Sequence, residues 1–309
     1  MKVQIRAALF GALFLMLTAC GDATTASGTS LAPSTTQPPT PSPLRSNASS
    51  SKPNSAVPLV IIVMENHERG DVMSSSSAPF ERSMARRGRD YTQYFAITHP
   101  SLPNYLAIAS GSTGGKTTDD ITAGEMSGST VWDQLSAAHI SWGVYEETMP
   151  STCYAPYSAG SFPADYALKH NPATPFRSVF SDPAKCARVQ PLTQMDPRHL
   201  PMVSFITPNE CSDAHSCPLA TGDAWLAGHV PPLVQSGADV LVTYDEGTTD
   251  LGVAGSGGGN VFAAEIGPGV PAGSVVATPV DHYSLLAGIE ARYGLPTLGK
   301  ASGATLLPL

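Results

Sequence analysis

The sequence predicts an α/β domain: a mostly parallel central sheet sandwiched by helices. Two observations carry that prediction. Continuous apolar, β-branched runs at 57–64, 202–207 and 239–244 alternate along the chain with helix-like segments, the pattern of strands buried on both faces and joined by crossover helices. Each run also ends abruptly in a polar cluster, and in such sheets ligands gather beyond the carboxyl ends of the strands.

The elements follow in order. The first run stops at Glu65-Asn66-His67. Residues 80–87 read as a helix closed by Gly88. A strand-like run over 91–97 leads into His99-Pro100-Ser101. A helix-like run over 102–109 leads out, with Pro103 in the first turn, where a helix tolerates it. Ser101 therefore sits where a strand meets a helix N-terminus. An N-cap is the ordinary role for serine there, and the outward N–H groups favour negative charge. Thr130 caps a helix to 139, 142–146 is a strand, and 147–198 is loop-rich, holding Cys153 and Cys186. The 202–207 strand is followed by Pro208-Asn209-Glu210-Cys211-Ser212-Asp213-Ala214-His215. A helix over 223–235 is expected to break or kink at Pro231-Pro232. The 239–244 strand ends in Asp245-Glu246, 260–266 is a strand, and 281–293 is the last helix, stopped by Gly294 and Pro296.

The chain has 309 residues, 42% of them hydrophobic, enough for a sizeable core. A net charge of -8 with no basic block argues against nucleic acid as a partner. Lys2 and Arg6 precede an apolar stretch at 7–17 that is too short to span a membrane. Leu17-Thr18-Ala19-Cys20 then resembles a lipobox. This predicts a lipoprotein signal peptide over 1–19 and membrane attachment through lipidated Cys20; a plain secretory signal is the alternative, and either one exports the protein. Residues 20–56, rich in Ser, Thr and Pro, read as a flexible tether, and 57–309 as the globular domain. In an oxidising compartment the four remaining cysteines allow three pairings. Cys211 with Cys217 closes a small loop and leaves Cys153 with Cys186. A Cys-only zinc site is the other reading, weakened by the lack of a Cys-x-x-Cys pair.

Glu65, Asp245 and Glu246 would repel one another at one sheet edge unless a cation held them. With the Asn66 oxygen they suit a hard or borderline divalent metal. A serine beside such a metal can lose its proton and attack an electrophile, while a helix N-terminus steadies an anion. That combination points to phosphoryl or sulfuryl transfer. Two other patterns carry no such chemistry. Gly111 to Thr117 imitates a phosphate loop, but Ser110 stands where the first glycine belongs and the stretch follows a helix. No Gly-x-Ser-x-Gly elbow is present.

Met64-Glu65-Asn66-His67, Thr98-His99-Pro100-Ser101-Leu102-Pro103-Asn104-Tyr105, Thr207-Pro208-Asn209 with Cys211, Asp213, His215 and Cys217, and Tyr244-Asp245-Glu246-Gly247 together resemble the bacterial phosphoesterase family of acid phosphatases and phospholipases C, within the alkaline phosphatase superfamily. The resemblance spans about residues 57–300 and implies an alkaline-phosphatase-like fold. It implies that Ser101 is a nucleophile that becomes phosphorylated. Glu65, Asn66, Asp245, Glu246 and Ser101 Oγ would be the metal ligands, and Asn104 a phosphate-binding group. Asp213 and His215 would form a second-metal or phosphate-contacting pair, and His282 would be a late histidine of the site. Because Asp245-Glu246 replaces the usual late Asp-His pair, one divalent metal is expected rather than two. The implied activity is hydrolysis of a small phosphate ester. A phosphomonoesterase comes first, because the chain ends near residue 309 without the further domains that phospholipases C of this family carry. A phosphodiesterase or phospholipase C is the enzymatic alternative, and a non-catalytic envelope-binding lipoprotein the other.

Overall fold

The computed structural model describes residues 57–253 and 256–309. The signal-peptide, lipid-anchor and tether expectations for 1–56 lie outside the described residues. The strands are β1 (Leu59–Met64), β2 (Arg89–Tyr91), β3 (Tyr94–Phe95), β4 (Trp142–Glu146), β5 (Ser158–Ala159), β6 (Tyr166–Ala167), β7 (Val189–Pro191), β8 (Val203–Thr207), β9 (Asp239–Tyr244), β10 (Ala263–Ile266), β11 (Ser274–Val276) and β12 (Val280–Asp281). The helices are α1 (Arg69–Ser74), α2 (Pro79–Arg87), α3 (Ser101–Ser110), α4 (Val131–Ala137), α5 (Arg177–Phe180), α6 (Pro183–Cys186), α7 (Leu219–Gln235) and α8 (His282–Tyr293).

Eight strands form one sheet in the order β11-β2-β10-β9-β1-β8-β4-β7. All pairs are parallel except those of β10 with β9 and with β2. The expected mostly parallel α/β sheet is therefore present. β1 lies at its centre, fully buried, between β8 and β9. The register sets Met64 opposite Tyr244 and Ile62 opposite Ile206. The three parallel neighbours consequently deliver their carboxyl ends side by side.

Two elements depart from the sequence expectation. A turn at Thr92-Gln93 divides the 91–97 run: Tyr91 stays in the large sheet, while β3 pairs with β12 in a small one. α7 runs unbroken to Gln235 through both prolines. Each proline forfeits a helix hydrogen bond, but Leu226, Val230 and Leu233 are buried along that helix, and this apolar face holds the backbone in place. Elsewhere the local signals match. Thr130 and Asp133 form a capping box on α4, and left-handed Gly294 (φ 67°) ends α8. Cys153 joins Cys186 and Cys211 joins Cys217, with Cα–Cα distances of 5.2 and 4.7 Å; the zinc alternative falls away. Gly111 (φ 71°) ends α3, so the phosphate-loop imitation is a helix C-cap and its turn.

Candidate active site

Backbone hydrogen bonds continue beyond the central strands. Glu65 N–H donates to Asp213 O at 3.0 Å, and Asp245 N–H to Met64 O at 2.9 Å. The ends of β1 and β9 and the loop after β8 are thereby stitched together, and Glu65, Asp213, Asp245 and Glu246 are all buried there. Asn66 adopts φ 58°, a left-handed conformation that Asn tolerates, and its N–H donates to Asp245 Oδ1 at 3.2 Å.

Ser101 opens α3, whose residues are buried through Ala109. Pro100 takes the N-cap position, so Ser101 is the first helical residue and its hydroxyl is free of capping duty. Its Oγ lies 3.1 Å from Glu65 Oε2 and 3.2 Å from Glu246 Oε1. Tyr105, one turn along α3, donates its hydroxyl to Glu65 Oε1. His99 Nδ1 meets Glu246 Oε2, and its Nε2 faces Thr249 O at 3.2 Å. Glu68 Oε1 accepts from Thr248 N, Thr249 N and Thr249 Oγ1, each at 2.9 Å, pinning the loop that carries Glu246. Gly247 leaves room there for the Glu68 carboxylate, which a Cβ would push aside.

His170 is the residue that the sequence reading missed. It is 2% exposed, with Nε2 3.2 Å from Glu65 Oε2 and Nδ1 3.8 Å from Asp213 Oδ2. It follows no strand of the large sheet and arrives instead from a 3-10 turn, Leu168–His170, that packs against α3. The one local signal is Asn171-Pro172, a turn dipeptide. The Asn171 side chain accepts from Ala173 N and Thr174 N, both at 2.9 Å, and fixes the chain beyond the histidine.

Three further expected site residues have protein partners in this structure. The resemblance gave Asn104 to the phosphate. In the structure its Oδ1 accepts from Ile97 N (2.9 Å) and Thr98 N (3.3 Å), and its Nδ2 donates to Thr98 O (2.8 Å) and Pro100 O (3.2 Å). The amide clamps the loop before Ser101. His282 is fully buried; its Nε2 meets Asp245 O at 2.6 Å and its Nδ1 the Tyr94 hydroxyl at 3.0 Å. Burial pushes its pKa down to about 4, so it is neutral, with Nε2–H donating to that carbonyl, and it holds the backbone rather than a phosphoryl group. His215 lies at the rim, its ring 6.1 Å from that of His170 and its Nδ1 3.0 Å from Ser216 Oγ. Its neighbour Asp213 enters the cluster, while His215 contributes its backbone N–H to Asp213 Oδ1 at 2.8 Å.

Buried carboxylates crowd one another at the site. Burial works to raise the Glu65 pKa, but the charge and hydrogen bond of His170, helped by Lys169 and Tyr105, bring it down to about 2. Burial first, then the charge of Glu65, pushes Asp213 well above the usual carboxylate range. Burial, Glu65 and Glu246 do the same to Asp245. Burial also raises Glu246, against the pull of His99. Asp213 Oδ2 and Asp245 Oδ2 are buried with no hydrogen-bond partner, a costly condition unless something else binds them. Among the described residues one group of His, Cys, Asp or Glu is placed to hold an ion: Glu65, His170 and Asp213, with ligand atoms within 4.8 Å of one another. This donor set fits a hard or borderline divalent metal, and it is one site, with His170 where the sequence reading had placed none.

A protein in the alkaline phosphatase superfamily from Vibrio parahaemolyticus shares this fold at a TM-score of 0.52 and 10% identity, over 82% of this chain and 70% of that one. The Phosphoesterase family matches residues 62–296, and the chain belongs to that family. It is 37% identical over 243 residues to the phosphate-repressible acid phosphatase of Penicillium chrysogenum, covering 73% of this chain and 57% of that one. It is 33% identical over 252 residues to the phosphatidylinositol-3-phosphatase of Mycobacterium tuberculosis, covering 80% of each. The chain spans little more than half the length of the acid phosphatases from Penicillium chrysogenum and Aspergillus fumigatus that it matches.

Proposed function

We propose that the protein hydrolyses phosphate monoesters through a phosphoserine formed on Ser101. The observation that carries this reading is the Ser101 hydroxyl, at a helix N-terminus and within 3.1 and 3.2 Å of two carboxylates. The names of the acid phosphatase and phosphatidylinositol-3-phosphatase relatives support the monoester class. Glu65, His170 and Asp213, flanked by Asp245 and Glu246, would hold a divalent metal, which when bound supplies positive charge to the developing alkoxide and phosphoryl oxygens. Of the two carboxylates beside Ser101, Glu246 is the better base, because its pKa is raised while that of Glu65 is lowered. In this reading Ser101 Oγ passes its proton to Glu246 and attacks phosphorus in line. The ester P–O bond breaks and the alcohol leaves. Water then attacks the phosphoserine, releasing inorganic phosphate and restoring the hydroxyl. Asn104 and Glu68 keep the two flanking loops in register.

The reading includes export, with a lipoprotein signal peptide at 1–19, attachment to the cell membrane through Cys20, a tether at 20–56 and a catalytic domain at 57–309. The targeting-like first twenty residues and the joined cysteine pairs support it. The test is hydrolysis of p-nitrophenyl phosphate by wild type and Ser101→Ala with added divalent metals. Removing the nucleophile is expected to lower kcat on the order of a thousandfold or more, with no phosphorylated protein trapped on acid quench. Equal rates in the two proteins would overturn the serine mechanism.

A further inference from the structure

Lys169 immediately precedes His170, and its side chain is 12% exposed. Its ammonium has two carboxylate neighbours, Asp119 Oδ2 at 3.5 Å and Glu210 Oε1 at 3.8 Å. Both distances exceed the roughly 2.7–2.9 Å of a charge-assisted hydrogen bond. The lysine is thus largely desolvated, loosely flanked, and left with donors to spare. Its location is fixed by a second contact: Asp119 Oδ1 accepts the Leu102 N–H at 3.0 Å. Leu102 follows Ser101, so the lysine and its partner are anchored at the turn of α3 that carries the nucleophile.

The charge balance around the site gives this lysine a task. Glu65, Asp213, Asp245 and Glu246 form the cluster, and Asp119 and Glu210 add two acids at its rim. A phosphate monoester brings up to two more negative charges, and a diester brings one. Lysine, a compact point charge, suits phosphoryl oxygens without requiring a bidentate geometry. We propose that Lys169 binds a non-bridging phosphoryl oxygen of the substrate and favours dianionic monoesters over diesters, with Asp119 positioning its ammonium. This rests on the phosphatase reading above.

The test uses the full chain with divalent metal present, and inorganic phosphate as the probe. Binding of phosphate is measured by calorimetry, and KM and kcat for p-nitrophenyl phosphate and bis-p-nitrophenyl phosphate by steady-state kinetics. A hydrogen bond to a charged group contributes about 1.5–3 kcal/mol. Lys169→Met is therefore expected to weaken phosphate binding and raise the monoester KM together, by roughly 10- to 150-fold. The diester KM should move less, and Lys169→Arg should recover most of the loss. Should Lys169→Met fail to fold, Glu210→Gln serves instead: it frees the ammonium and is expected to tighten phosphate binding several-fold. Unchanged phosphate affinity in a folded Lys169→Met, equal losses on the two esters, or weaker binding in Glu210→Gln would each overturn the proposal. If wild type hydrolyses neither ester but binds phosphate in a Lys169-dependent way, the phosphatase reading fails and the binding role stands.

Discussion

Adding a divalent cation is expected to stabilise the fold by an amount that the carboxylate cluster sets. Only the folded chain brings Glu65, His170 and Asp213 within 4.8 Å of one another, so binding adds directly to stability. At free metal one hundred times above its Kd, the gain is about 2.7 kcal/mol. For a domain of this size about 2–4 °C follows per kcal/mol, so Tm should rise by about 5–11 °C over chelator-treated protein. The pH dependence has a definite sign. Asp213 and Asp245 are raised above their ordinary range. Their contribution is full below the unfolded value of about 3.9 and is lost as pH climbs through the window above it. Glu65, lowered to about 2, contributes above the unfolded value of about 4.3 and loses that contribution only as pH falls toward 2. In chelator, Tm should therefore decline from mildly acidic pH toward neutrality. Bound cation keeps the aspartates ionised and should flatten the decline. Differential scanning fluorimetry with Zn²⁺, Mn²⁺, Mg²⁺ and Ca²⁺ across pH reads both effects. Asp213→Asn should lose most of the metal-dependent shift. The reasoning is refuted if no divalent metal raises Tm, or if Asp213→Asn responds as wild type does.

Two further outcomes follow from the side chains around the cluster. Asn104→Ala removes the clamp on the loop before Ser101 and should cost about 2–3 kcal/mol in denaturant unfolding. It should lower kcat while leaving inorganic phosphate inhibition within about twofold; a large loss of phosphate affinity would restore the contact role. Replacing Cys211 and Cys217 together by serine opens the short loop that contains Asp213, at a cost of about 2–3 kcal/mol by loop-closure entropy. Metal affinity should fall with it, seen as a higher midpoint in metal titration of Tm, whereas serines at Cys153 and Cys186 should leave that midpoint in place.

The strand ends were legible because their chemistry is sequential. A buried β-branched run followed at once by acids, as at Val63-Met64-Glu65 and Thr243-Tyr244-Asp245, marks both the strand and the edge where its polar residues gather. Disulfide pairing followed from loop length alone. His170 was not legible, because nothing in its neighbours reports that a 3-10 turn will be pressed onto α3 by the tertiary fold. The backbone contacts of Asn104 and His282 were not legible for a related reason. A side chain that supports a site through the backbone has the same residue type and spacing as one that touches the ligand, and only the hydrogen-bond partners separate the two. The prolines of α7 show the reverse case, where a strong local signal yields to a buried apolar face.

The bonds from Glu65 N to Asp213 O and from Asp245 N to Met64 O carry a consequence for how the protein tolerates change. They make the spacing of Glu65 and Asp245 a property of the sheet rather than of the loops. Surface loops that carry none of the cluster residues are then free to vary without retuning it. A methyl group lost from Ile61, Val63 or Val242, fully buried in the two strands that carry Glu65 and Asp245, should then be felt as a shift in the separation of like charges. Substitutions in the deepest core of this protein should thus read out as altered metal affinity before they read out as unfolding.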